Sequence, residues 1–219
     1  MVRSKDVAAE SWIPSATSVL AAVAKRALDI LVSLIAIIVL TPVSAILVVL
    51  IVVDSWGSPF YVSRRIGRHG RQFPLIKFRT MIVRAENLLP ALRHTRPEFD
   101  ASWKLADDPR ITRVGSWLRR SSLDEVPQFV NVLWGHMSLV GPRPIVSEEL
   151  SQYSQNEVRQ FLSVRPGLTG LWQTSGRSTI AYPERTRVEL EYVRGWSLRL
   201  DLQILWHTLP IVLSRRGAW

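Results

Sequence analysis

The sequence of 219 residues is long enough for one domain with its own core, and its 47% of hydrophobic residues exclude an intrinsically disordered chain. The absence of cysteine excludes disulfides, thiolate nucleophiles and cysteine-based metal sites, and four scattered histidines lack the spacing of metal ligands. Lysine and arginine outnumber aspartate and glutamate by 28 to 18, so we expect an anionic partner: a phosphorylated substrate, lipid headgroups or nucleic acid.

Residues 1–24 have mixed polarity, and we interpret them as a flexible cytoplasmic extension. The uncharged run that follows, residues 30–53, is the only segment able to fill a bilayer, which excludes a multi-span transporter. As a straight helix it would be about 36 Å long, enough to cross a hydrocarbon core of about 30 Å. Asp29 directly precedes the run, whereas a signal peptide begins with a basic segment.

Pro42 lies in the middle of this run and predicts a break, because proline removes a backbone hydrogen bond and clashes with the preceding turn. The hydroxyl of Thr41 is suited to bond a freed carbonyl. Positive charge marks the cytoplasmic side of a membrane, and both flanks of the run carry it, at Lys25, Arg26, Arg64, Arg65, Arg68 and Arg71. We therefore expect a re-entrant helix-break-helix hairpin over residues 25–56, making the protein monotopic. A kinked single span and a helix buried in a soluble core are the alternatives.

The remaining residues, 57–219, predict a cytoplasmic domain that is rich in helices and of mixed α+β class. Residues 71–81 alternate as a strand with Lys77 and Arg79 on one face, which is either a phosphate site or a solvated charge pair. Residues 86–103 are polar and are expected to be helical up to Pro97. Residues 107–120 contain a turn and then a short basic helix that ends in Arg119 and Arg120.

Apolar residues recur at helical spacing near the C-terminus, at Leu198, Leu202, Leu205, Leu209 and Val212. A helix that faces the core is the simpler interpretation of this stripe. The alternative is a helix in the membrane interface, which is favoured by the neighbouring residues Trp196, Trp206, Arg215, Arg216 and Trp219.

Two adjacent carboxylates, Asp124 and Glu125, are the candidate reactive groups. One interpretation is a helix capping box in which Ser122 caps and Glu125 reaches back. In the other, Pro127 opens a helix, and the pair lies before its positive end with stabilised charge. One carboxylate would then be free to attack while the other holds a cation.

The motif at residues 141–144 suggests a second element of the site. A residue before proline is pushed towards extended geometry, so Gly141 and Arg143 both stand on stiff backbone. Arg143 would lose little entropy on binding a phosphate, although a rigid surface turn explains the motif equally well. Paired carboxylates, several cations and a membrane hairpin together point to phosphate chemistry on a lipid-borne substrate.

The motifs, taken in order, resemble those of the bacterial sugar transferases, the monotopic polyprenyl-phosphate phosphoglycosyl transferases. The segments that carry the resemblance are KRALD (25–29), KFRTM (77–81), DPRIT (108–112), LDEVPQ (123–128), MSLVGPRP (137–144), RPGLTGLWQ (165–173) and WSL (196–198). They cover nearly the whole chain from residue 25. The short form of the chain resembles the exopolysaccharide-initiating members that use UDP-galactose or UDP-glucose.

The resemblance implies a two-step reaction at the cytoplasmic face of the bacterial inner membrane. Asp124 would attack the β-phosphate of a UDP-sugar and release UMP, and undecaprenyl phosphate would then take the phosphosugar from the carboxylate. Glu125 would bind Mg²⁺. Arg143 would clamp a phosphate, and Lys77, Arg79, Arg119 and Arg120 would line the same pocket.

Three positions depart from the family pattern. His136 stands where an acidic residue is usual, Glu189 where an aspartate precedes the tyrosine Tyr192, and Thr41 where serine often precedes the membrane proline. The sugar and the oligomeric state are left open, a homo-oligomer included. The competing hypothesis is a membrane-anchored basic scaffold that binds nucleic acid or anionic lipid. A transferase of the family described above is not expected to bind nucleic acid.

Overall fold

The computed structural model describes residues 16–95, 108–176 and 180–214, and it begins with one long helix, α1 (Ala16–Asp54). The helix starts within the segment that we expected to be a flexible extension, so that expectation is wrong from residue 16 onward. Residues 1–15 lie outside the described part of the chain. The section from Val19 to Asp54 is the one described helix that is long and apolar enough to cross a membrane.

α1 stays helical through Pro42, so the expected division into two helices is not observed. The Thr41 hydroxyl donates to the carbonyl of Ile37 at 2.6 Å. The carbonyl that Pro42 leaves without its helical partner belongs to Ile38, four residues before it. Thr41 bonds a different carbonyl, so the expectation that it bonds the freed one is wrong. The return of the chain to the same membrane face stays a prediction.

Only 11% of the most apolar stretch of α1 is buried within the protein, which argues against a helix enclosed in a soluble core. The less exposed residues follow one face, and both ends of that face contact the rest of the protein. Near its start, Asp29 is buried beside Ser138. Near its end, Leu47 and Ile51 are buried with Phe78.

A two-stranded antiparallel ribbon follows α1 and confirms residues 72–78 of the strand predicted at residues 71–81. Strand β1 (Phe60–Ile66) pairs with β2 (Gln72–Phe78). A short 3₁₀ turn (Ala85–Leu88) and helix α2 (Leu89–Thr95) then occupy part of the predicted helix at 86–103. The rest of that prediction, with Pro97 and Trp103, lies outside the described residues.

The remaining elements enclose a core beneath α1 and the ribbon. A second, parallel sheet is formed by β3 (Ser138–Val140) and β4 (Gly167–Thr169). The helices are α3 (Arg113–Ser121), α4 (Gln128–Leu133), α5 (Gln155–Phe161), α6 (Leu171–Ser175), α7 (Glu184–Arg194) and α8 (Leu198–Ser214). The main core joins β2, α4, β3, α7 and α8 through side chains such as Leu75, Val132, Leu139, Tyr192 and Ile204. The expectation of a helix-rich mixed α+β chain is confirmed.

Helix α8 corrects the prediction of a core-facing leucine stripe. Leu202 and Leu209 are more than half exposed, as is Trp206, while Asp201 and Ile204 form the buried side. The helix therefore presents an apolar face to its surroundings, which agrees with the interface alternative. Arg215, Arg216 and Trp219, which entered that argument, lie outside the described residues.

Candidate active site

The adjacent carboxylates lie in a short 3₁₀ turn, Leu123–Glu125, between α3 and α4. Ser122 ends α3 in the left-handed conformation, with φ of 56°, and its side chain caps nothing. Pro127 directly precedes α4. The capping-box interpretation is therefore wrong, and the alternative in which Pro127 opens a helix is correct.

This turn shares an apolar cluster with the long helix α1. Leu123 and Val126, the apolar residues on either side of the two carboxylates, pack against the cluster that contains Leu47 and Ile51 of α1. The carboxylates are thus held where the one candidate membrane helix meets the rest of the described chain. A substrate whose reacting group lies at the membrane surface would reach them there.

Lys77 projects from β2 into this turn. Its Nζ atom donates to Oε1 of Glu125 at 2.7 Å and lies 3.9 Å from Oδ2 of Asp124. Asp124 is the more enclosed of the two carboxylates, with a side chain that is 14% exposed against 39% for Glu125. Lys77 therefore joins the two acidic groups into one charged cluster.

Burial, together with the negative charge of Glu125, raises the pKa of Asp124 to about 6, although Lys77 and Arg119 act in the opposite direction. We had expected the position before a helix to stabilise both negative charges. α4 has only six residues, and desolvation outweighs any effect of its dipole. Asp124 is consequently a carboxylate that is ionised at neutral pH but poorly solvated, as suits a nucleophile.

Arg119 adds a second cation on the side of Asp124. Its Nε donates to the hydroxyl of Thr80 at 2.9 Å, and burial lowers its pKa. α3 approaches this segment closely because Gly115 lacks a side chain, and a Cβ atom there would overlap the carbonyl of Thr80. The Thr112 hydroxyl caps the start of α3 by accepting from the Gly115 N–H at 3.0 Å.

Arg143 lies in the loop that leaves β3. Gly141 donates to the carbonyl of Thr169 at 2.9 Å, and Gly167 donates to the carbonyl of Pro142 at 2.7 Å, which binds this loop to β4. The Arg143 N–H donates to the buried carboxylate of Glu189 at 3.2 Å. These bonds fix the backbone on both sides of the arginine, as the stiff proline-flanked motif predicts.

The Arg143 side chain belongs to the same electrostatic environment as the acidic pair. Burial and the charge of Arg185 lower the pKa of Arg143, while the charges of Glu149 and Glu125 oppose that effect. Its guanidinium lies 5.4 Å from the centre of the Trp172 ring. The structure brings together Lys77, Arg119, Asp124 and Glu125, and the charge of Glu125 also acts on Arg143. Two other candidates lie elsewhere.

Those two candidates are Arg79 and Arg120. The guanidinium of Arg79 donates to the carbonyls of Ser55 and Trp56, so it fixes the turn after α1 rather than facing the carboxylates. Arg120 is exposed and forms no ion pair within the described residues. Alternation along a strand predicted a shared face for Lys77 and Arg79, but Arg79 lies one residue beyond the end of β2.

Sequence reasoning missed a layer of buried charge behind Arg143. Arg185 lies between the rings of Trp172 and Tyr182, with its Cζ 4.6 Å and 4.9 Å from their centres. It pairs with Glu149 at 3.4 Å and approaches Glu189, four residues along α7, at 3.9 Å. Burial raises the pKa of Glu189 to about 7. The available signal in the sequence was a base and an acid four residues apart, Arg185 and Glu189.

The donor set determines which divalent cation the site fits. Among residues 16–95, 108–176 and 180–214, no group of three or more carboxylate or imidazole side chains converges on one point. Mg²⁺ commonly takes only one or two carboxylates and completes its octahedron with water and substrate phosphates. Glu125, which is the more exposed of the acidic pair, fits such a partial site.

Comparison with known proteins places this geometry in context. The family described as "Bacterial sugar transferase" matches residues 20–215. A protein of Sinorhizobium fredii named "Exopolysaccharide production protein ExoY" is 43% identical over 201 residues, which cover 90% of this chain and 88% of that protein.

Two longer relatives have names that specify a reaction. "Undecaprenyl-phosphate galactose phosphotransferase" of Salmonella typhimurium is 44% identical over 199 residues, which cover 89% of this chain and 41% of that protein. "UDP-glucose:undecaprenyl-phosphate glucose-1-phosphate transferase" of Xanthomonas campestris pv. campestris is 37% identical over 204 residues, which cover 90% and 40%. The chain therefore spans about two fifths of the length of these two relatives.

Proposed function

The chain belongs to the bacterial sugar transferase family, and from this we propose that it transfers a sugar 1-phosphate from a UDP-sugar to undecaprenyl phosphate. The names of the Salmonella and Xanthomonas relatives support this lipid acceptor, and they support galactose or glucose as the sugar. The name of the Sinorhizobium relative supports a place at the start of exopolysaccharide assembly.

One observation carries the proposal: Asp124, a largely enclosed carboxylate, lies near the cations Lys77 and Arg119, in a turn that shares an apolar cluster with the long helix α1. The cations Lys77 and Arg119 are suited to bind a diphosphate, and burial keeps water from competing with the carboxylate. In the first step, an oxygen of Asp124 bonds to the β-phosphorus of the UDP-sugar. The bond from that phosphorus to the bridging oxygen breaks, and UMP leaves with the electron pair.

In the second step, a phosphate oxygen of undecaprenyl phosphate bonds to the same phosphorus. The bond to Asp124 breaks, which restores the carboxylate and yields a polyprenyl diphosphosugar. Arg143 would bind the phosphoryl oxygens, because its backbone is fixed and the charge of Glu125 acts on its side chain. Mg²⁺, held by Glu125, would neutralise charge on the phosphoryl oxygens.

The position of the acidic turn near the long apolar helix favours an acceptor that lies in a membrane over one that is dissolved in water. Leu123 and Val126, beside the two carboxylates, belong to the apolar cluster that contains Leu47 and Ile51 of α1, and α8 offers a second exposed apolar face with Trp206. We expect the protein to lie on the cytoplasmic face of the bacterial inner membrane, where both substrates meet.

The scaffold hypothesis explains less of the structure. Several arginines are used internally and do not form an exposed basic face: Arg26 and Arg79 bind backbone carbonyls, and Arg110 and Arg185 pair with buried or half-buried carboxylates. The net positive charge therefore does not by itself imply nucleic-acid binding, and nucleic acid is not needed for the proposed reaction.

The test is UMP release by the purified chain in lipid nanodiscs. UDP-galactose and UDP-glucose are supplied with Mg²⁺, first without and then with undecaprenyl phosphate. We expect about one equivalent of UMP per site without acceptor and continuous release with it. Asp124→Asn should abolish both, and Glu86→Gln, which alters an exposed acidic residue outside the site, should retain both. Full turnover by Asp124→Asn would refute the proposal.

A further inference from the structure

One turn of α1 binds both segments that carry the candidate catalytic side chains. Arg26 and Asp29 are three residues apart and therefore lie on neighbouring positions of one helix face. Arg26 contacts the end of α4, and Asp29 contacts β3. Neither residue touches the acidic pair or Arg143.

Arg26 holds the far end of the helix that follows the acidic turn. Its two terminal nitrogens donate to the carbonyls of Val132 and Leu133 at 2.7 Å and 2.8 Å. The last carbonyls of a helix have no partner within it, and a cation at that end is favourable. α4 is a rigid element of six residues, so fixing its last turn also fixes the turn of Asp124 and Glu125 at its other end.

Asp29 holds the strand that leads to Arg143. Its Oδ1 atom accepts from the Leu139 N–H at 2.8 Å and from the Ser138 hydroxyl at 3.0 Å, and the residue is 2% exposed. Arg143 follows Leu139 by four residues, through a backbone that β4 binds on its other side. The position of Arg143 therefore depends on the position of Asp29.

The neighbouring cation is also used inside the protein. Lys25 donates to Asp201 of α8 at 2.6 Å and to the carbonyl of Val140 at 2.9 Å. Tyr192 and Trp196 donate to the same carboxylate. The start of α1 is thus attached by charged groups to α4, β3 and α8, and its basic residues have a structural use beyond marking the cytoplasmic side.

We propose that Arg26 and Asp29 are positioning residues that hold the acidic turn and the Arg143 loop at a fixed separation, so that the membrane helix and the site form one rigid unit. The roles of Asp124 and Arg143 in this statement rest on the proposed function. The fixed separation does not, because it follows from the contacts alone.

The separation can be measured directly, because a chain without cysteine accepts two engineered labels without background. Arg120→Cys lies next to the acidic turn and Glu148→Cys follows the Arg143 loop, and both native residues are exposed. Spin labels at these positions report a distance distribution by pulsed electron resonance in nanodiscs. We expect a narrow distribution in the otherwise unaltered chain and a broader or displaced one after Arg26→Gln or Asp29→Ala.

Arg64→Gln is the matched control. It also removes a basic residue flanking the apolar run, but Arg64 is exposed and forms no ion pair within the described residues. Its distribution should be unchanged. Arg26→Lys should give an intermediate result, because one ammonium cannot reproduce two parallel bonds to carbonyls.

The kinetic counterpart distinguishes positioning from simple loss of fold. A displacement of about 1 Å costs up to about 100-fold in rate, so we expect Arg26→Gln and Asp29→Ala to lower kcat by roughly 10- to 100-fold while KM for the UDP-sugar changes less than about threefold. The double variant should lose less than the product of the two single losses, since both act on one separation.

Asp29→Leu, which has a similar branched shape but no acceptor oxygen, serves as the second variant if Asp29→Ala does not fold in the nanodisc. Unchanged distance distributions for Arg26→Gln and for the Asp29 variant, together with kcat within twofold of the parent, would overturn the proposal. If the parent itself releases no UMP, the proposed function fails, and the distance measurement alone then decides this inference.

Discussion

Replacing Lys77 by methionine should move the pH dependence of UMP release to higher pH. The Lys77 ammonium lies 2.7 Å from Glu125 and 3.9 Å from Asp124, and its charge lowers the pKa of Asp124 against the effect of burial. Methionine has similar length but no charge. The pKa of Asp124, now about 6, should therefore rise in the variant.

The size of the shift follows from the geometry. An opposite charge within about 4–6 Å changes a carboxyl pKa by about 1–3 units. The low end applies here, because Lys77 is nearer to Glu125 than to Asp124 and a quarter of its side chain is exposed. A rise of about one unit lowers the ionised fraction of Asp124 roughly eightfold at pH 5.5, about threefold at pH 6.5 and hardly at all at pH 8.5.

The assay is single-turnover release of UMP from pH 5 to pH 9, without lipid acceptor. Loss of a phosphate contact lowers the rate equally at all pH values, whereas loss of ionised Asp124 lowers it only at low pH. The ratio of parent to variant rates should therefore fall by about eightfold between pH 5.5 and pH 8.5. Arg113→Met, which removes an exposed cation elsewhere, should give a ratio near one. A Lys77→Met ratio that stays constant across this range would refute the reasoning.

Three further predictions concern stability. Asp124→Asn should raise the free energy of unfolding by about 3 kcal/mol at pH 7.5 and should leave it unchanged below pH 4. The folded-state pKa of Asp124, about 6, means that the parent protein loses stability as the pH rises from about 4 to 6. Equal gains at both pH values, measured by denaturation, would contradict this. Asn131→Ala should cost about 2–4 kcal/mol, since the buried amide bonds two backbone groups of β2, and Gln203→Ala, at an exposed position, is the control. Arg79→Lys should lower the thermal midpoint of unfolding but leave KM for the UDP-sugar within about twofold, because this arginine binds the turn after α1. A large change in KM would show that Arg79 contacts the substrate.

Local rules of sequence predicted the elements that local physics determines. The alternation at residues 71–81 predicted β2, because side-chain direction in a strand follows from spacing. It left open whether Lys77 belongs to a phosphate site or to a solvated charge pair, and the contact with Glu125 places it beside the acidic turn. Pro127 was correctly allowed as a helix start, because its missing N–H costs nothing there. The apolar run predicted a membrane element from composition, and the structure has one long, mostly exposed apolar helix there, without the expected division at Pro42.

The errors arose where tertiary contacts decide the outcome. Spacing along α8 gave a clear stripe but could not show that the buried side would be centred on Asp201, which Lys25 binds from a distant helix. Arg79 was placed in the site because periodicity was extended one residue past the strand. The charge of Asp124 was expected to be stabilised by the start of the next helix, but burial in the folded protein raises its pKa instead. Residue spacing gives no measure of that burial.

The resemblance to a family supplied what the residues alone could not. Physical reasoning reached phosphate chemistry on a lipid-borne substrate, and the family match over residues 20–215 bears out the resemblance. Neither physical reasoning from the residues nor the family resemblance predicted the buried pairing of Arg185 with Glu149 and Glu189. It depends on the docking of α7 against the loop of Arg143.

The most direct test of the central claim is chemical identification of the group that carries the phosphosugar. The protein is incubated with UDP-galactose or UDP-glucose in the absence of lipid, quenched rapidly and digested, and its peptides are analysed by mass spectrometry. We predict a hexose-phosphate adduct on the peptide that contains Asp124, which disappears when undecaprenyl phosphate is added before the quench. An adduct on another side chain, or UMP release with no adduct at all, would contradict the account.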